Sequence, residues 1–99
     1  MSEPDDDSDG PDDRWVYIGP RRVDSSGRVS IPVDRYGLST GDVIHVTVET
    51  DEVSFLVPDA PIETQRRVTI PGRQRRLHGV HAGDTVDVTF QKTGLKAPE

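Results

Sequence analysis

A repeated pentapeptide is the feature that most constrains how this chain can fold. Residues 28–32 read Arg-Val-Ser-Ile-Pro, and residues 67–71, which lie 39 positions later, read Arg-Val-Thr-Ile-Pro. Each copy is followed by a short polar segment, a Gly-Asp pair and an alternating run rich in valine. A matching order of elements over about 40 residues indicates an internal duplication. The Gly-Asp pairs are 42 residues apart, so the second copy has three extra residues between its proline and its glycine.

The length of the chain implies that the two copies fold together. The chain has 99 residues, the usual size of one domain, and a single copy is too short to bury a stable core. We therefore expect one domain over residues 14–92, built from two halves at 14–58 and 60–92 that share one core. A flexible C-terminus is expected over residues 93–99.

The charges are unevenly distributed along the chain. The formal net charge is −6, yet residues 1–13 alone contain seven acidic residues and no basic one. The remaining residues carry twelve basic and eleven acidic side chains, and ten of the twelve are arginines. Residues 1–13 lack large apolar side chains, so the composition predicts a disordered acidic tail. This tail is either a solubility device or an autoinhibitor that mimics DNA. The acid-rich, lysine-poor composition resembles that of proteins from salt-loving archaea.

Several classes of protein are disfavoured by the composition. The chain contains no cysteine, which excludes disulfides and thiolate chemistry. No apolar run approaches the roughly 18 residues that a membrane span needs, and the acidic N-terminus is unlike a signal peptide. We expect a soluble cytoplasmic protein with no membrane partner. No nucleophile–base pair, metal-ligand cluster or phosphate-binding loop is evident, so the sequence predicts no enzymatic activity, no cofactor and no metal.

The pattern of apolar residues predicts a mostly β fold with one short helix in each copy. Prolines 32 and 71 suit the first turn of a helix, and glycines 37 and 79 suit its end, which predicts helices over 33–36 and 72–77. Glycine 19 and proline 20 should stop the first strand, and residues 58–61 should link the two copies. Alternation of polar and apolar residues predicts strands over 15–18, 28–31, 43–49, 53–57, 62–64, 67–70 and 85–91.

The order of these motifs resembles that of the AbrB/MazE/SpoVT family. The resemblance rests on the segment Val-Asp-Ser-Ser-Gly-Arg-Val-Ser-Ile-Pro and on Leu-Ser-Thr-Gly-Asp-Val-Ile-His-Val after it. It covers residues 21–57 and again 60–91. Members usually carry one such unit and form an interleaved homodimer that binds duplex DNA. The resemblance implies an AbrB-like swapped-hairpin β-barrel that is formed here within one chain, as an intrachain pseudo-dimer.

The resemblance also implies which residues contact DNA. In the family, these contacts come from arginines of the first strand, the Gly-Arg turn and the start of the helix. Ala60 and Pro61 replace the first-strand arginines in the second copy, and Arg66 replaces the turn glycine. The first copy lacks nearly a helical turn, so a symmetric operator is not implied. The DNA-binding positions are Arg21, Arg22 and Arg28 in the first copy and Arg66, Arg67, Arg73, Arg75 and Arg76 in the second.

The charge pattern supports this assignment independently of the family. Residues 60–79 contain five arginines against one acidic residue, Glu63. Arginine binds phosphates and guanine edges with two parallel hydrogen bonds. The sequence predicts a DNA-binding transcriptional regulator, with self-association as a second expected interaction. The alternatives are an antitoxin-like module with a toxin-like protein partner, another protein-interaction module, or a solvated, salt-bridged arginine face without a ligand.

Overall fold

Short strands and two helices make up the part of the chain that the computed structural model describes, residues 14–97. The predicted disordered tail, residues 1–13, lies outside the described residues, as do residues 98 and 99. In chain order the elements are β1 (Val16–Arg22), β2 (Arg28–Ser30), α1 (Val33–Tyr36), β3 (Asp42–Glu49), β4 (Ser54–Pro61), a 3-10 turn (Thr64–Arg66), β5 (Arg67–Thr69), α2 (Gly72–His78) and β6 (Thr85–Lys96).

The strands pair into two antiparallel sheets, which confirms the mostly β class. One is a four-stranded sheet with the order β1-β6-β3-β4, and the other is a two-stranded ribbon of β2 and β5. We call the latter the ribbon. Over residues 14–97, the strand pairing leaves the four-stranded sheet open at β1 and β4, so the strands do not form a closed barrel. None of the helices within these residues is long and apolar enough to cross a membrane.

The core lies between the ribbon and the four-stranded sheet and consists mainly of valine and isoleucine. Val29 and Val68 of the ribbon are fully buried, as are Val46 and Val88 of the sheet. Ile31 and Ile70, which follow the ribbon strands, are buried too. Each buried side chain of this size contributes roughly 1.5–3 kcal/mol of hydrophobic stabilisation. Alternation buries the side chains on one face of each strand and directs the side chains of the other face away from the core.

The ribbon is formed by the two copies of the repeated pentapeptide lying side by side. Its register is reciprocal under the 39-residue repeat: Arg28 lies opposite Thr69, Val29 opposite Val68, and Ser30 opposite Arg67. The register between β3 and β6 is reciprocal under the 42-residue spacing of the Gly-Asp pairs: Val46 lies opposite Phe90, Thr47 opposite Thr89 and Val48 opposite Val88. A pseudo-two-fold axis therefore passes through the centres of both pairs.

The strand registers also fix where one copy ends and the next begins. Tyr17 of β1 lies opposite Thr89, and Leu56 of β4, which is 39 residues after Tyr17, lies opposite Thr47. The far ends match as well, with Arg21 opposite Val86 and Ala60 opposite Ile44. β1 and β4 are therefore equivalent first strands, and each pairs with the Gly-Asp strand of the other copy. The boundary lies in the turn after Glu49 rather than between residues 58 and 60, where the sequence placed it.

Proline and glycine do not interrupt the two first strands as the sequence predicted. β1 continues through Gly19 and Pro20 to Arg22, and β4 continues through Pro58 to Pro61. Both are edge strands, where a missing proline N–H leaves no partner unsatisfied. A register shift in each strand pair accommodates the irregularity, with positive φ angles of 91° at Gly19 and 54° at Asp59.

Two further segments differ from the sequence prediction. Residues 93–96, expected to belong to a flexible C-terminus, continue β6, because the Thr93 hydroxyl donates to the Val43 carbonyl (2.7 Å). The Ala97 N–H also donates to the Gly41 carbonyl (2.7 Å). The predicted strand over 62–64 is instead a single bridge at Glu63 followed by the 3-10 turn. Its residues are committed to the turn that leads into the ribbon.

Candidate nucleic-acid interface

The turn before β2 is organised by the Asp24 carboxylate. It accepts hydrogen bonds from the backbone N–H groups of Arg28 (2.9 Å) and Ser26 (2.8 Å) and from the Ser26 hydroxyl (2.8 Å). The Arg28 backbone hydrogen bond, followed by the Ser26 hydroxyl and backbone hydrogen bonds and the Arg67 guanidinium, holds the pKa of Asp24 well below its usual range. Asp24 therefore remains ionised and fixes the start of the ribbon.

Two ion pairs join the copies across the ribbon. Nη1 of Arg67 lies 2.6 Å from Oδ2 of Asp24, and Nε of Arg28 lies 3.4 Å from Oε1 of Glu63. Asp24 and Glu63 occupy equivalent positions of the repeat, four residues before Arg28 and Arg67 respectively. Exposed pairs of this kind contribute about 0–1 kcal/mol each, so their main effect is to orient the guanidinium groups. Arg28 and Arg67 are each about one-third exposed.

The outward face of the ribbon is polar because its two strands alternate apolar and polar residues. Val29 and Val68 point into the core, and strand alternation places their neighbours on the opposite side. That side carries Arg28, Ser30, Arg67 and Thr69. The ribbon thus presents one arginine from each copy on a single surface, near the pseudo-two-fold axis.

In the turn before β5, an arginine occupies the position that a glycine occupies in the turn before β2. The backbone at this position has a conformation that favours glycine. Arg66 has a φ of 61°, at the position where Gly27 has a φ of 82°. Gln65 is also left-handed, with a φ of 65°, and its side chain accepts a hydrogen bond from Nη2 of Arg67 (2.6 Å). Such a conformation costs of order 1–3 kcal/mol per residue. The Arg66 side chain is 63% exposed and lies 3.6 Å from Asp34 of α1.

Arg75 connects the second helix to the turn of the first copy. Its guanidinium group lies against the backbone of Gly27, in space that a side chain at residue 27 would occupy. Its Nε donates to the Ile70 carbonyl (2.9 Å), and the Ile70 N–H in turn donates to the Gly27 carbonyl (2.9 Å). Arg75 is consequently part of the architecture of the site, next to Arg28.

The other two arginines of α2 extend from a helix that is anchored through its remaining side chains. Nε2 of Gln74 donates to the Leu56 carbonyl (3.0 Å), and the His78 ring stacks on Phe55 with a centroid distance of 4.3 Å. Both contacts join α2 to β4. Arg73 and Arg76 are exposed, and neither makes an ion pair with any residue between 14 and 97.

The structure leaves two of the eight predicted residues away from this cluster. Arg21 and Arg22 lie at the end of β1 in the four-stranded sheet, opposite Val86 and Thr85. Nη1 of Arg21 donates to the neighbouring Pro20 carbonyl (3.2 Å), and no hydrogen bond or ion pair links either arginine to the ribbon within the described chain. Around the ribbon and its two turns the structure gathers Arg28, Arg66, Arg67 and Arg75, while Arg73 and Arg76 project from α2.

Sequence reasoning did not identify the acidic partners of the ribbon arginines. In each copy an acidic residue lies four positions before the arginine of the pentapeptide, Asp24 in the first and Glu63 in the second. This repeated spacing could have identified both residues. It also did not identify Gln74 as an anchor of α2, for which the sequence holds no signal, because Leu56 is distant along the chain.

Acidic side chains line a groove that borders the C-terminal end of α2. This shallow groove of about 270 Å³ is lined by Glu49, Asp51, Glu52, Asp84 and Asp87 together with His78 and Gly79, and its lining includes no lysine or arginine. The Asp87 carboxylate also accepts a hydrogen bond from the Tyr17 hydroxyl (2.7 Å), which raises the pKa of Tyr17. The carboxylates of this groove would repel a phosphate group.

Comparison with known proteins supports the fold. Neither a protein-family model nor a curated protein matches this chain. Among solved structures, the chain is similar to the solution structure of PHS018 from Pyrococcus horikoshii, with a TM-score of 0.64 and 22% sequence identity. The similarity covers 84% of this chain and 97% of that one. Nearly the whole of that small mostly β protein therefore corresponds to the fold described above.

Proposed function

We propose that this chain is a DNA-binding transcriptional regulator of the AbrB type, which acts in the cytoplasm by docking its arginines on duplex DNA. One observation carries the proposal. The two copies of the repeated pentapeptide pair as a ribbon whose outward face bears an arginine from each copy, Arg28 and Arg67. The turns and the helix beside this ribbon add further arginines. A basic surface of this kind neutralises phosphates and releases condensed counterions.

The proposal includes the finer architecture that the family resemblance implies, an AbrB-like swapped-hairpin arrangement formed within one chain, whose four-stranded sheet is open at β1 and β4 rather than closed into a barrel. The reciprocal registers support it, because each first strand pairs with the Gly-Asp strand of the other copy. The turn hydrogen bonds are reciprocal too: the Val23 N–H donates to the Asp84 carbonyl (2.8 Å), and the Ile62 N–H donates to the Asp42 carbonyl (2.9 Å). These pairings are what an intrachain pseudo-dimer requires.

The arginines divide into two roles. Arg73 and Arg76 make no ion pair within residues 14–97, so they can contact phosphates without breaking an existing interaction. Arg28 and Arg67 are already held by Glu63 and Asp24, which orients their guanidinium groups and partly neutralises their charge. Phosphate contacts from α2 would then supply most of the affinity, and the ribbon would set the register of the protein on the duplex.

The test is fluorescence anisotropy of a labelled mixed-sequence duplex, titrated with protein at several salt concentrations while circular dichroism monitors folding. A plot of log affinity against log salt is expected to have a slope of about −3 to −6, at roughly −0.9 for each neutralised phosphate. The double substitution Arg73→Ala with Arg76→Ala should reduce this slope by about 2 units. A folded protein that binds no duplex at any salt concentration contradicts the proposal.

A matched control separates the arginine surface from total charge. Lys92 and Lys96 lie on β6, and Lys96 is ion-paired with Asp42. Replacing both lysines by alanine removes the same two positive charges without touching α2 or the ribbon. The salt slope should then change by less than 1 unit. Equal losses from the two double variants would show that binding depends on overall charge alone.

A protein-interaction module, antitoxin-like or otherwise, is the second candidate. Its support is the exposed apolar side chains, since Leu77 on α2 is 74% exposed and Tyr17 on β1 is 58% exposed. Single exposed apolar residues are ordinary on protein surfaces. A contiguous patch of them indicates a protein-interaction site. This candidate gains if the folded protein fails to bind DNA and Leu77→Ser abolishes a complex with a purified toxin-like protein.

A further inference from the structure

We infer that the chain binds DNA in one fixed orientation, with the α2 side forming a dominant half-site, and that its preferred target is not a palindrome. This inference rests on the proposed function. It goes beyond it because a fold with a pseudo-two-fold axis would ordinarily be expected to recognise two equivalent half-sites. The structure shows that the two sides of the axis differ in charge and in the length of the helix.

The two helices can be aligned through their C-terminal caps. Both end at a left-handed glycine, Gly37 after α1 and Gly79 after α2. The Leu38 N–H donates to the Val33 carbonyl (2.9 Å), and the Val80 N–H donates to the Arg75 carbonyl in the same way (2.9 Å). These bonds make Val33 equivalent to Arg75.

The alignment places opposite charges at one position of the repeat. Asp34 follows Val33, and Arg76 follows Arg75, so the two sides present a carboxylate and a guanidinium at equivalent places. α2 contains three arginines and no acidic residue, whereas α1 contains one arginine and one aspartate. A phosphate that docks favourably against α2 would meet a negative charge at the equivalent point of α1.

The three residues that only the second copy has lengthen its helix and add a positive charge. They are Gly72, Arg73 and Gln74, and they form the extra turn at the start of α2. Gln74 donates to the Leu56 carbonyl and so fixes this turn to β4. Arg73 is therefore carried on an anchored turn, and the first copy has no counterpart of it.

The turns that face the two helices differ at one position, which is glycine on the α2 side and arginine on the α1 side. On the α2 side, Gly27 leaves room for the Arg75 guanidinium group. On the α1 side, Arg66 replaces that glycine and lies 3.6 Å from Asp34. The charge of Arg66 is thus offset within the protein, while Arg73 and Arg76 stay unpaired within residues 14–97. Among the exposed arginines of the two helices that make no ion pair within these residues, α2 contributes Arg73 and Arg76, and α1 contributes Arg35 beside Asp34.

Selection from a random duplex library, followed by sequencing of the bound DNA, tests the inference directly. The expected result is an enriched motif without two-fold symmetry. A palindromic motif overturns the inference, as does the absence of any enriched motif from a protein that does bind duplex DNA. Failure to bind any duplex contradicts the proposed function instead, so the two outcomes are distinguishable.

Directed cleavage on the selected site gives a second, independent readout. The chain has no cysteine, and Ser25 and Thr64 are exposed residues at equivalent positions of the two turns. A DNA-cleaving iron chelate is attached to Ser25→Cys in one sample and to Thr64→Cys in another. In a fixed orientation each variant cleaves its own end of the site. Identical, two-fold symmetric cleavage patterns from both variants overturn the inference.

Exchange of the two opposed charges completes the test. Arg76→Asp is expected to reduce affinity at least tenfold, because it places an acidic residue where the dominant half-site contacts phosphate. Asp34→Arg is expected to increase affinity and to make the selected motif more symmetric. Both residues are exposed, so each variant should retain the circular dichroism spectrum of the parent. An Arg76→Asp variant that is folded and binds within twofold of the parent contradicts the inference.

Discussion

The guanidinium group of Arg75 lies against the backbone of Gly27, so that a helix of the second copy closes on a turn of the first. Residue 27 has a φ of 82°, a conformation that glycine adopts readily. Arg75 also donates to the Ile70 carbonyl at the end of β5. One arginine thereby links the turn, the ribbon and the helix that form the candidate interface, and its identity is constrained by packing as well as by charge.

Gly27→Ala should therefore destabilise the protein for two separable reasons. A β-carbon at this φ costs about 1–2 kcal/mol, and it also displaces the flexible end of Arg75 from its hydrogen bond, which costs about 1 kcal/mol more. The free energy of unfolding, measured by chemical denaturation, is expected to fall by about 2–3 kcal/mol.

The matched control for that change is Gly37→Ala. Gly37 also has a positive φ, 68°, but a β-carbon there would meet nothing within 4 Å. This variant should lose only the conformational part, about 1–2 kcal/mol. In an Arg75→Ala background the excess cost at Gly27 should vanish, because the displaced group is gone. A persistent excess would mean that Arg75 is not the cause.

Arg66→Gly should separate stability from DNA binding. Glycine accepts the φ of 61° at this position without strain, while the arginine charge is lost. We expect the unfolding free energy to be unchanged or to rise by up to about 1 kcal/mol, and DNA affinity to fall. Arg66→Ala removes the same charge and keeps the strain, so it should be the less stable of the two. Equal stabilities would indicate that the turn is not strained.

The depressed pKa of Asp24 predicts a specific loss of stability in acid. Because its pKa is lower in the folded than in the unfolded chain, Asp24 stabilises the fold above the unfolded value, about 3.9, and this contribution is lost as the pH falls below it. Asp24→Asn should therefore destabilise the protein at neutral pH and flatten its stability profile below about pH 4. Glu63→Gln, at the equivalent position, is the comparison: it removes the longer 3.4 Å ion pair and weakens the hydrogen bond that the Thr69 hydroxyl donates to this carboxylate (2.5 Å). Similar profiles for the two variants would contradict the assignment.

Removal of residues 1–13 should strengthen DNA binding. The deletion takes away seven acidic residues and no basic one, which reduces repulsion from phosphates. The gain should be large at about 0.01 M salt and should shrink above about 0.1 M, as the screening length falls from roughly 30 Å to 10 Å. A full-length variant with these residues replaced by asparagine and glutamine should behave like the deletion. An affinity that depends on the length of the segment rather than its charge would contradict this explanation.

The elements with a strong local signal were predicted well, and the edge strands were not. Gly37 and Gly79 end the two helices in the left-handed conformation, as the sequence predicted. Pro58, in contrast, was expected to end a strand. The cost of a proline depends on whether its missing N–H would have faced a partner, and only the sheet order decides that.

The residues of the candidate site were likewise predicted only in part from the sequence. The sequence identifies the arginines of the ribbon, because Arg28 and Arg67 belong to the repeated pentapeptide. It does not show that Arg67 pairs with Asp24, 43 residues away, or that Arg75 packs against Gly27. Both contacts cross between the two copies, and their geometry depends on how the copies pair.

The sequence by itself determined that this protein is a duplication with a valine-rich core, since alternation and repeated turn residues are local properties of the chain. Tertiary structure alone decided that the first strands pair across copies, that β1 and β4 are equivalent, and that Asp24 and Glu63 pair with the ribbon arginines of the other copy. The physical reason is that strand partners and ion-pair partners are chosen by the burial of a shared core, which brings together residues that no local pattern connects.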